Sequence, residues 1–182
     1  KNPRSGRLDF NLEWGIFHYK YLIKGRSLMK RLFFLVVLLL VLSQLLNAQS
    51  LYKEAGNFHL YSLGGEKINL SDFKSKPVIL FFWTSWCPYC RQAMRLLNQS
   101  YSEIKEAGIE VLGINISESE ERVNNFLKKF PVHFKVLMDK TGEVAFTYRV
   151  LGVPNYVLID KEGKIKFQAN YLPSDYRELL RD

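Results

Sequence analysis

Residues 77–91 read PVILFFWTSWCPYCR and hold both cysteines of the 182-residue chain, Cys87 and Cys90. The run from Val78 to Trp83 is apolar without interruption, which is typical of a strand buried on both faces of a sheet. The cysteines are three residues apart and lie where this strand ends and a helical pattern begins. The stretch therefore predicts a strand–helix junction with two sulfur atoms at its turn.

The segments around this junction alternate between strand and helix patterns. The helix after the cysteines has an apolar face formed by Ala93, Met94, Leu97, Tyr101 and Ile104, and Gly108 is placed as its C-terminal cap. The other expected elements are strands near 58–62 and 109–116, a helix with a Ser117–Glu120 capping box that ends before Pro131, a short strand edge at 136–139, a short helix at 144–148, paired strands at 155–160 and 164–169, and a last helix from about Pro173.

This order of elements predicts an α/β fold. Strand–helix–strand–helix followed by a hairpin and a helix indicates a mixed central sheet with helices on both faces and a C-terminal β-hairpin. From Gln49 to Asp182 the chain has a length that suits one domain with a single core.

The segment 29–48 has the pattern of a secretory signal. Lys30 and Arg31 precede an apolar run from Leu32 to Leu42, and Ala48 supplies a small residue at the cleavage position. The run is short for a membrane span, which needs roughly 20 apolar residues. We expect a cleaved signal, with an uncleaved membrane anchor as the alternative, and hence a periplasmic or other extracytoplasmic location. Residues 1–28 are interpreted as an upstream extension with no part in the fold.

The formal charge of +8 does not indicate a nucleic-acid partner. Residues 1–48 contain eight Lys/Arg and two Asp/Glu, whereas residues 49–182 contain eighteen and sixteen. The domain therefore lacks the excess of basic residues that nucleic-acid binding requires, and we expect a monomer without nucleic acid.

Four kinds of site compete for the cysteine pair. A structural zinc site needs further Cys or His ligands, and only His59 and His133 lie in the domain, far apart in sequence, so we expect no metal. A structural disulfide across so short a loop restricts the unfolded chain little. Inert buried thiols suit a cytosolic protein better than an exported one. A redox-active pair is favoured.

Position in the junction suggests the role of each sulfur. Cys87 lies at the helix N-terminus, where free N–H groups and the helix dipole favour a thiolate, so it is expected to be the more exposed nucleophile. Cys90 lies one turn further on the apolar face and is expected to be the resolving thiol. Pro88 suits the first helical position, and Arg91 could add positive charge nearby.

Pro154, in LGVPNYVLIDKEGKI, stands just before an apolar strand and by itself reads as an ordinary strand start. Together with FFWTSWCPYCR and the order of elements, however, residues 56–180 resemble the thioredoxin superfamily, and specifically its exported TlpA/ResA-like thiol–disulfide oxidoreductases. The resemblance implies a thioredoxin fold and a cis Val153–Pro154 peptide packed against the disulfide, with the Val153 backbone pairing with substrate.

The resemblance also implies roles beside the cysteines. Trp86 takes the place of the active-site tryptophan, and Pro88 and Tyr89 form the dipeptide between the cysteines, as in glutaredoxins. No cofactor is implied apart from the Cys87–Cys90 disulfide. The chain departs from the family's pattern at two positions that bear on how Cys90 loses its proton. Phe81 occupies a position where many relatives carry a buried acid or amide, and Ala93 occupies one where some reductases carry a glutamate.

The resulting hypothesis is a reductase of protein disulfides. Client proteins such as apocytochrome c and a membrane thiol reductase as electron donor are the implied partners. Thr84, three residues before Cys87, leaves open a peroxiredoxin-like peroxidase, and a copper-delivery protein would need His133 as a ligand. Away from the cysteines, we expect His59 and His133 to be surface residues and Glu118, Glu120 and Glu121 to form a solvated helix start.

Overall fold

The structure is a computed structural model that describes residues 30–43 and 53–181. The chain divides into two units, Lys1–Leu51 and Tyr52–Asp182. In the first, residues 30–43 form helix α1. Within the two described ranges, no helix has both the length and the apolar character that a membrane crossing requires. The predicted extension at 1–28 and the predicted cleavage point at Ala48 lie outside the described residues, so both stay predictions.

Within its described residues, 53–181, the second unit contains seven strands, four α-helices and a short 3-10 helix. In chain order they are β1 (His59–Ser62), β2 (Lys67–Asn69), the 3-10 helix (Leu70–Phe73), β3 (Val78–Trp83), α2 (Pro88–Glu106), β4 (Glu110–Ile116), α3 (Glu120–Leu127), β5 (Lys135–Asp139), α4 (Glu143–Thr147), β6 (Asn155–Ile159), β7 (Ile165–Ala169) and α5 (Tyr176–Leu179).

The strands form one mixed sheet in the order β2-β1-β5-β4-β3-β6-β7. The central strand β3 pairs in parallel with β4 and antiparallel with β6, and all six of its residues are buried. β6 and β7 form the predicted antiparallel hairpin. The predicted mixed sheet with a C-terminal hairpin is therefore confirmed, and the fold is the thioredoxin fold.

Alternate residues of β3 face two separate cores. Ile79, Phe81 and Trp83 belong to one core, which also contains apolar residues of α2, α3 and α5. Val78, Leu80 and Phe82 belong to the other, which is covered by α4 and the 3-10 helix. Because both faces of the sheet are covered, β3 has no face for polar side chains, and this explains its continuous apolar run.

Helix α2 follows its predicted pattern. Its buried side chains include Ala93, Met94, Leu97 and Ile104. Gly108, just beyond the helix, has φ = 75°, and its N–H donates to the Lys105 carbonyl at 2.9 Å. The left-handed backbone at this position is one that glycine adopts without steric cost, so the predicted cap is confirmed.

Two expectations about the next elements were wrong. Ser119, not Ser117, caps α3, and its hydroxyl accepts a hydrogen bond from the N–H of Arg122 at 3.3 Å. Ser117 instead has φ = 54° and lies in the turn after β4, so the helix starts two residues later. Strand β5 is not at an edge, because β1 returns antiparallel beside it and places it between β1 and β4.

Candidate active site

Cys87 is the N-cap residue of α2, at the end of the loop that follows β3. Its backbone is extended (φ = −77°, ψ = 115°), and Pro88 begins the helix. The Cys87 sulfur accepts a hydrogen bond from the backbone N–H of Cys90 at 3.1 Å. Both cysteines are free thiols in this structure. The sulfur thus occupies the place of a capping side chain, where donors at the start of a helix meet an acceptor.

Both cysteines are buried. Cys90 is fully buried, as predicted, and Cys87 is the more exposed of the two, as predicted, although only 3% of its surface is accessible to solvent. The Cys87 thiol lies against the Val153 carbonyl and donates to it at 3.5 Å. The Cys87 sulfur is therefore covered in part by the loop that contains Val153.

The loop before β6 supplies the second half of the site. Val153 is followed by Pro154, and the peptide bond between them is cis, as the resemblance implies. Although Val153 is 66 residues after Cys87, its carbonyl is in contact with the Cys87 sulfur. The structure therefore brings together the two segments that the sequence singled out separately.

Two aromatic side chains next to the cysteines face solvent. Trp86 is 63% exposed and Tyr89 is 72% exposed. Tyr89 and Pro154 also line an open cleft of about 420 Å³, together with Tyr156, Tyr171 and Leu172. The surface around the buried sulfurs is thus aromatic and apolar, a chemistry that suits contact with a protein chain.

The Cys90 thiol is held in its protonated form. Burial raises the pKa of Cys90 well above its ordinary value, the hydrogen bond with the Cys87 side chain raises it further, and a backbone hydrogen bond from Thr84 lowers it. The charges of Cys87 and Glu118 add to the increase in the pKa. Cys90 therefore needs a change in its surroundings before it can attack as a thiolate.

Glu118 is the residue that the sequence analysis misjudged. Its side chain is only 5% exposed and is not part of a solvated helix start. Its carboxylate accepts from the Ser85 N–H and hydroxyl, both at 2.6 Å, and from the Asn115 amide at 2.8 Å. Nε of Arg122 lies 2.9 Å from the same carboxylate. The signal available in the sequence was the position of Glu118 two residues after a strand, at the end of the sheet where Cys87 also lies.

Arg91 and His133 lie elsewhere. The Arg91 guanidinium is 5.9 Å from the centre of the Phe130 ring. The His133 ring stacks on Tyr101 at 6.1 Å. Tyr101 is eleven residues beyond Cys90 in α2, which corresponds to about 16 Å along the helix. His133 is therefore remote from the cysteine sulfurs, and the Arg91 guanidinium packs over the Phe130 ring.

The sequence of this domain matches the AhpC/TSA family over residues 51–168. It is also 39% identical over 147 residues to the thiol-disulfide oxidoreductase ResA of Bacillus cereus (strain ATCC 10987 / NRS 248), a match that covers 74% of this chain and 85% of that protein. The chain belongs to the AhpC/TSA family of the thioredoxin superfamily. Among the AhpC/TSA proteins it is ResA-like, and it is a protein thiol–disulfide oxidoreductase.

Other relatives are consistent with this assignment to the AhpC/TSA family. ResA of Bacillus subtilis (strain 168) is 38% identical over 112 residues, which cover 62% of this chain and 63% of that protein. A protein assigned as the thiol:disulfide interchange protein DsbE of Chlorobium tepidum has a solved structure with a TM-score of 0.64 at 33% identity, covering 71% of this chain and 92% of that one. The solved thioredoxin domain of a thiol-disulfide oxidoreductase from Bacteroides vulgatus has a TM-score of 0.61 at 26% identity, and the match covers 69% of this chain and 90% of that one.

Two positions at which some relatives in the superfamily carry acids are apolar in this chain. Phe81 is fully buried, and its ring centre lies 5.0 Å from that of Tyr156 and 6.0 Å from that of Phe134. Ala93 is 9% exposed in the same core as Cys90. Neither side chain can exchange a proton with Cys90, whereas the charge of Glu118 contributes, after burial and the nearby Cys87, to the raised pKa of this thiol.

Proposed function

We propose that the chain is an exported reductase of protein disulfides that acts through Cys87 as nucleophile and Cys90 as resolving thiol. The observation that carries this proposal is the asymmetric placement of the two sulfurs. Cys87 caps α2 and lies against the Val153 carbonyl, whereas Cys90 is fully buried behind it with a raised pKa. A reductase that works in two steps needs one sulfur that attacks the client disulfide and a second that remains a thiol until it attacks the resulting mixed disulfide.

The proposed reaction moves two electrons from the dithiol to the client. The Cys87 thiolate attacks one sulfur of a client disulfide, forms a mixed disulfide and releases the other client sulfur as a thiolate. Cys90 then loses its proton and attacks the Cys87 sulfur, which releases the second client sulfur. The two client thiolates take up protons, and the Cys87–Cys90 disulfide remains. A membrane thiol reductase would return two electrons to it.

The surroundings of Cys87 support specific roles in binding the client. Trp86 and Tyr89 offer exposed aromatic surface beside the sulfur, and Pro88 sets the start of the helix. The backbone of Val153, followed by Pro154, lies against the sulfur and would pair with an extended client segment. The resemblance to exported relatives favours clients such as apocytochrome c, whose reduced cysteines are needed for haem attachment.

A reduction assay tests the proposed direction. The dithiol form of residues 49–182 should precipitate insulin by reducing its disulfides, and the variant with both cysteines replaced by serine should not. Failure of the wild-type protein to reduce insulin, together with rapid oxidation of a reduced peptide by its disulfide form, would reverse the proposed direction.

Export is tested separately by the fate of the N-terminus. If residues 29–48 are a cleaved signal, the mature protein should begin near Gln49 and be released by osmotic shock. Recovery only with detergent, at a mass that includes the apolar run, would instead favour the anchor.

The alternatives gain no specific support. The Thr84 hydroxyl makes no hydrogen bond with any residue in the described part of the chain, Cys87 included, so it does not activate that sulfur as a peroxidase would require. For copper delivery, His133 stacks on Tyr101, far along α2 from the sulfurs. Copper titration of the reduced protein, carried out beside the insulin assay, separates a carrier from an enzyme.

A further inference from the structure

Glu118 is a buried acid outside the two positions already discussed. Ser117, directly before it, has the left-handed φ of 54°, which for a residue with a side chain is uncommon and sterically costly. The turn directs Glu118 under the loop that joins β3 to α2. All four of its contacts are donors, from Ser85 (twice), Asn115 and Arg122. The carboxylate thus uses both oxygens as acceptors, as an ionised carboxylate does.

The loop that Glu118 holds is in contact with both cysteines. Ser85 follows Thr84, whose carbonyl accepts a hydrogen bond from the Cys87 N–H at 3.4 Å. The backbone of Thr84 also hydrogen-bonds the Cys90 sulfur. Fixing the Ser85 N–H therefore fixes the neighbouring peptide groups that face the two sulfurs.

We propose that Glu118 is a positioning residue for the redox pair: it fixes the loop before Cys87 through Ser85, and its negative charge opposes formation of a Cys90 thiolate both before and after the mixed disulfide has formed. The inference rests on the proposed role of Cys90 as resolving thiol. It assigns to a residue of the β4–α3 turn a task for which neither Phe81 nor Ala93 has the chemistry.

The charges around Cys90 explain how such control would work. The titratable groups that face it are Cys87 from the start of α2, Tyr156 from β6 and Glu118 from the β4–α3 turn. Tyr156 is neutral near pH 7, because burial raises the pKa of its hydroxyl further above the ordinary value. When Cys87 enters a mixed disulfide its negative charge disappears, and the charge of Glu118 alone still opposes a Cys90 thiolate.

The test isolates Cys90 from its partner and from any client. In the Cys87→Ser background, protein labelled with 13C at cysteine Cβ reports ionisation of Cys90 through the chemical shift of that carbon as pH rises. E118Q should lower the pH at which this chemical shift begins to change by about one unit, which corresponds to a tenfold larger thiolate fraction at a given pH. R122Q removes the cation paired with Glu118 and should therefore raise the pH at which the chemical shift begins to change. E121Q, at an exposed position in the first turn of α3, serves as the matched control and should cause no shift.

The positioning part of the proposal has its own readout. Hydrogen exchange of the Ser85 amide should be at least tenfold faster in E118A than in the wild type, because its acceptor is lost. An unchanged or raised onset in E118Q, a lowered onset in R122Q, an equal shift in E121Q, or unchanged exchange at Ser85 would each overturn the proposal. Because no client or electron donor is present, these outcomes are independent of whether the protein reduces insulin.

Discussion

Cys87 caps the helix that carries Cys90, and its sulfur accepts the N–H of Cys90 at 3.1 Å while the Cys87 thiol contacts the Val153 carbonyl at 3.5 Å. One sulfur is thereby linked both to its partner and to the loop before β6. The arrangement makes the two cysteines chemically unequal, although both are buried. This inequality leads to the first prediction.

Replacement of Cys90 by serine should trap the client. The C90S protein should accumulate a mixed disulfide through Cys87, because no second thiol can release it, whereas C87S should accumulate little. Non-reducing electrophoresis with oxidised insulin as the client measures the trapped species. The double serine variant is the control, and trapping that is stronger in C87S would exchange the two roles.

Truncation of the exposed aromatic residues should weaken client recognition without affecting folding. Trp86→Ala and Tyr89→Ala should each lower kcat/KM for insulin about fivefold or more, since aromatic anchors commonly contribute more than about 1 kcal/mol. The free energy of unfolding should change by no more than about 0.5 kcal/mol, because both side chains are solvent-exposed. A small aromatic disulfide serves as the comparison substrate. An equal loss with both substrates would place the effect on the chemistry of the sulfurs instead of on client binding.

A methyl group at Gly113 should disturb the core beneath the site. A Cβ there would lie 2.5 Å from Cε2 of Phe134, closer than side chains tolerate. Gly113→Ala should therefore destabilise the protein by about 1–3 kcal/mol in urea unfolding. Gly64→Ala is the matched control, since its nearest contact would be the Ser62 hydroxyl at 3.7 Å. In a protein that already carries Phe134→Leu, Gly113→Ala should lower the free energy of unfolding by less than it does in the wild type. If the effects of the two substitutions were simply additive, the steric explanation would be contradicted.

The reduced protein should lose stability at alkaline pH because of Cys90. Its pKa is raised in the folded state, so above the ordinary thiol value of 9.0 the unfolded chain releases a proton that the folded chain retains. The contribution is fully present below that pH, and it is lost at about 1.4 kcal/mol per pH unit as the pH rises further. Urea unfolding of reduced wild type and of C90S between pH 8 and 10 measures the difference. Parallel pH profiles for the two proteins would show that Cys90 ionises equally well when folded.

The amino-acid sequence by itself determined the order of strands and helices apart from β2 and the 3-10 helix, together with the buried strand before the cysteines and the position of Cys87 at a helix start. These features depend on residues within one or two turns of each other, and their periodicity and capping residues are local. Tertiary structure alone decided what surrounds the sulfurs. The Val153 carbonyl reaches Cys87 across 66 residues, and β5 becomes an inner strand because β1 pairs beside it. Glu118 reads as a solvated acid until Ser85, 33 residues earlier, supplies its donors. Contacts between loops that are distant in sequence leave no periodic pattern, so only the folded chain shows which charge lies behind Cys90.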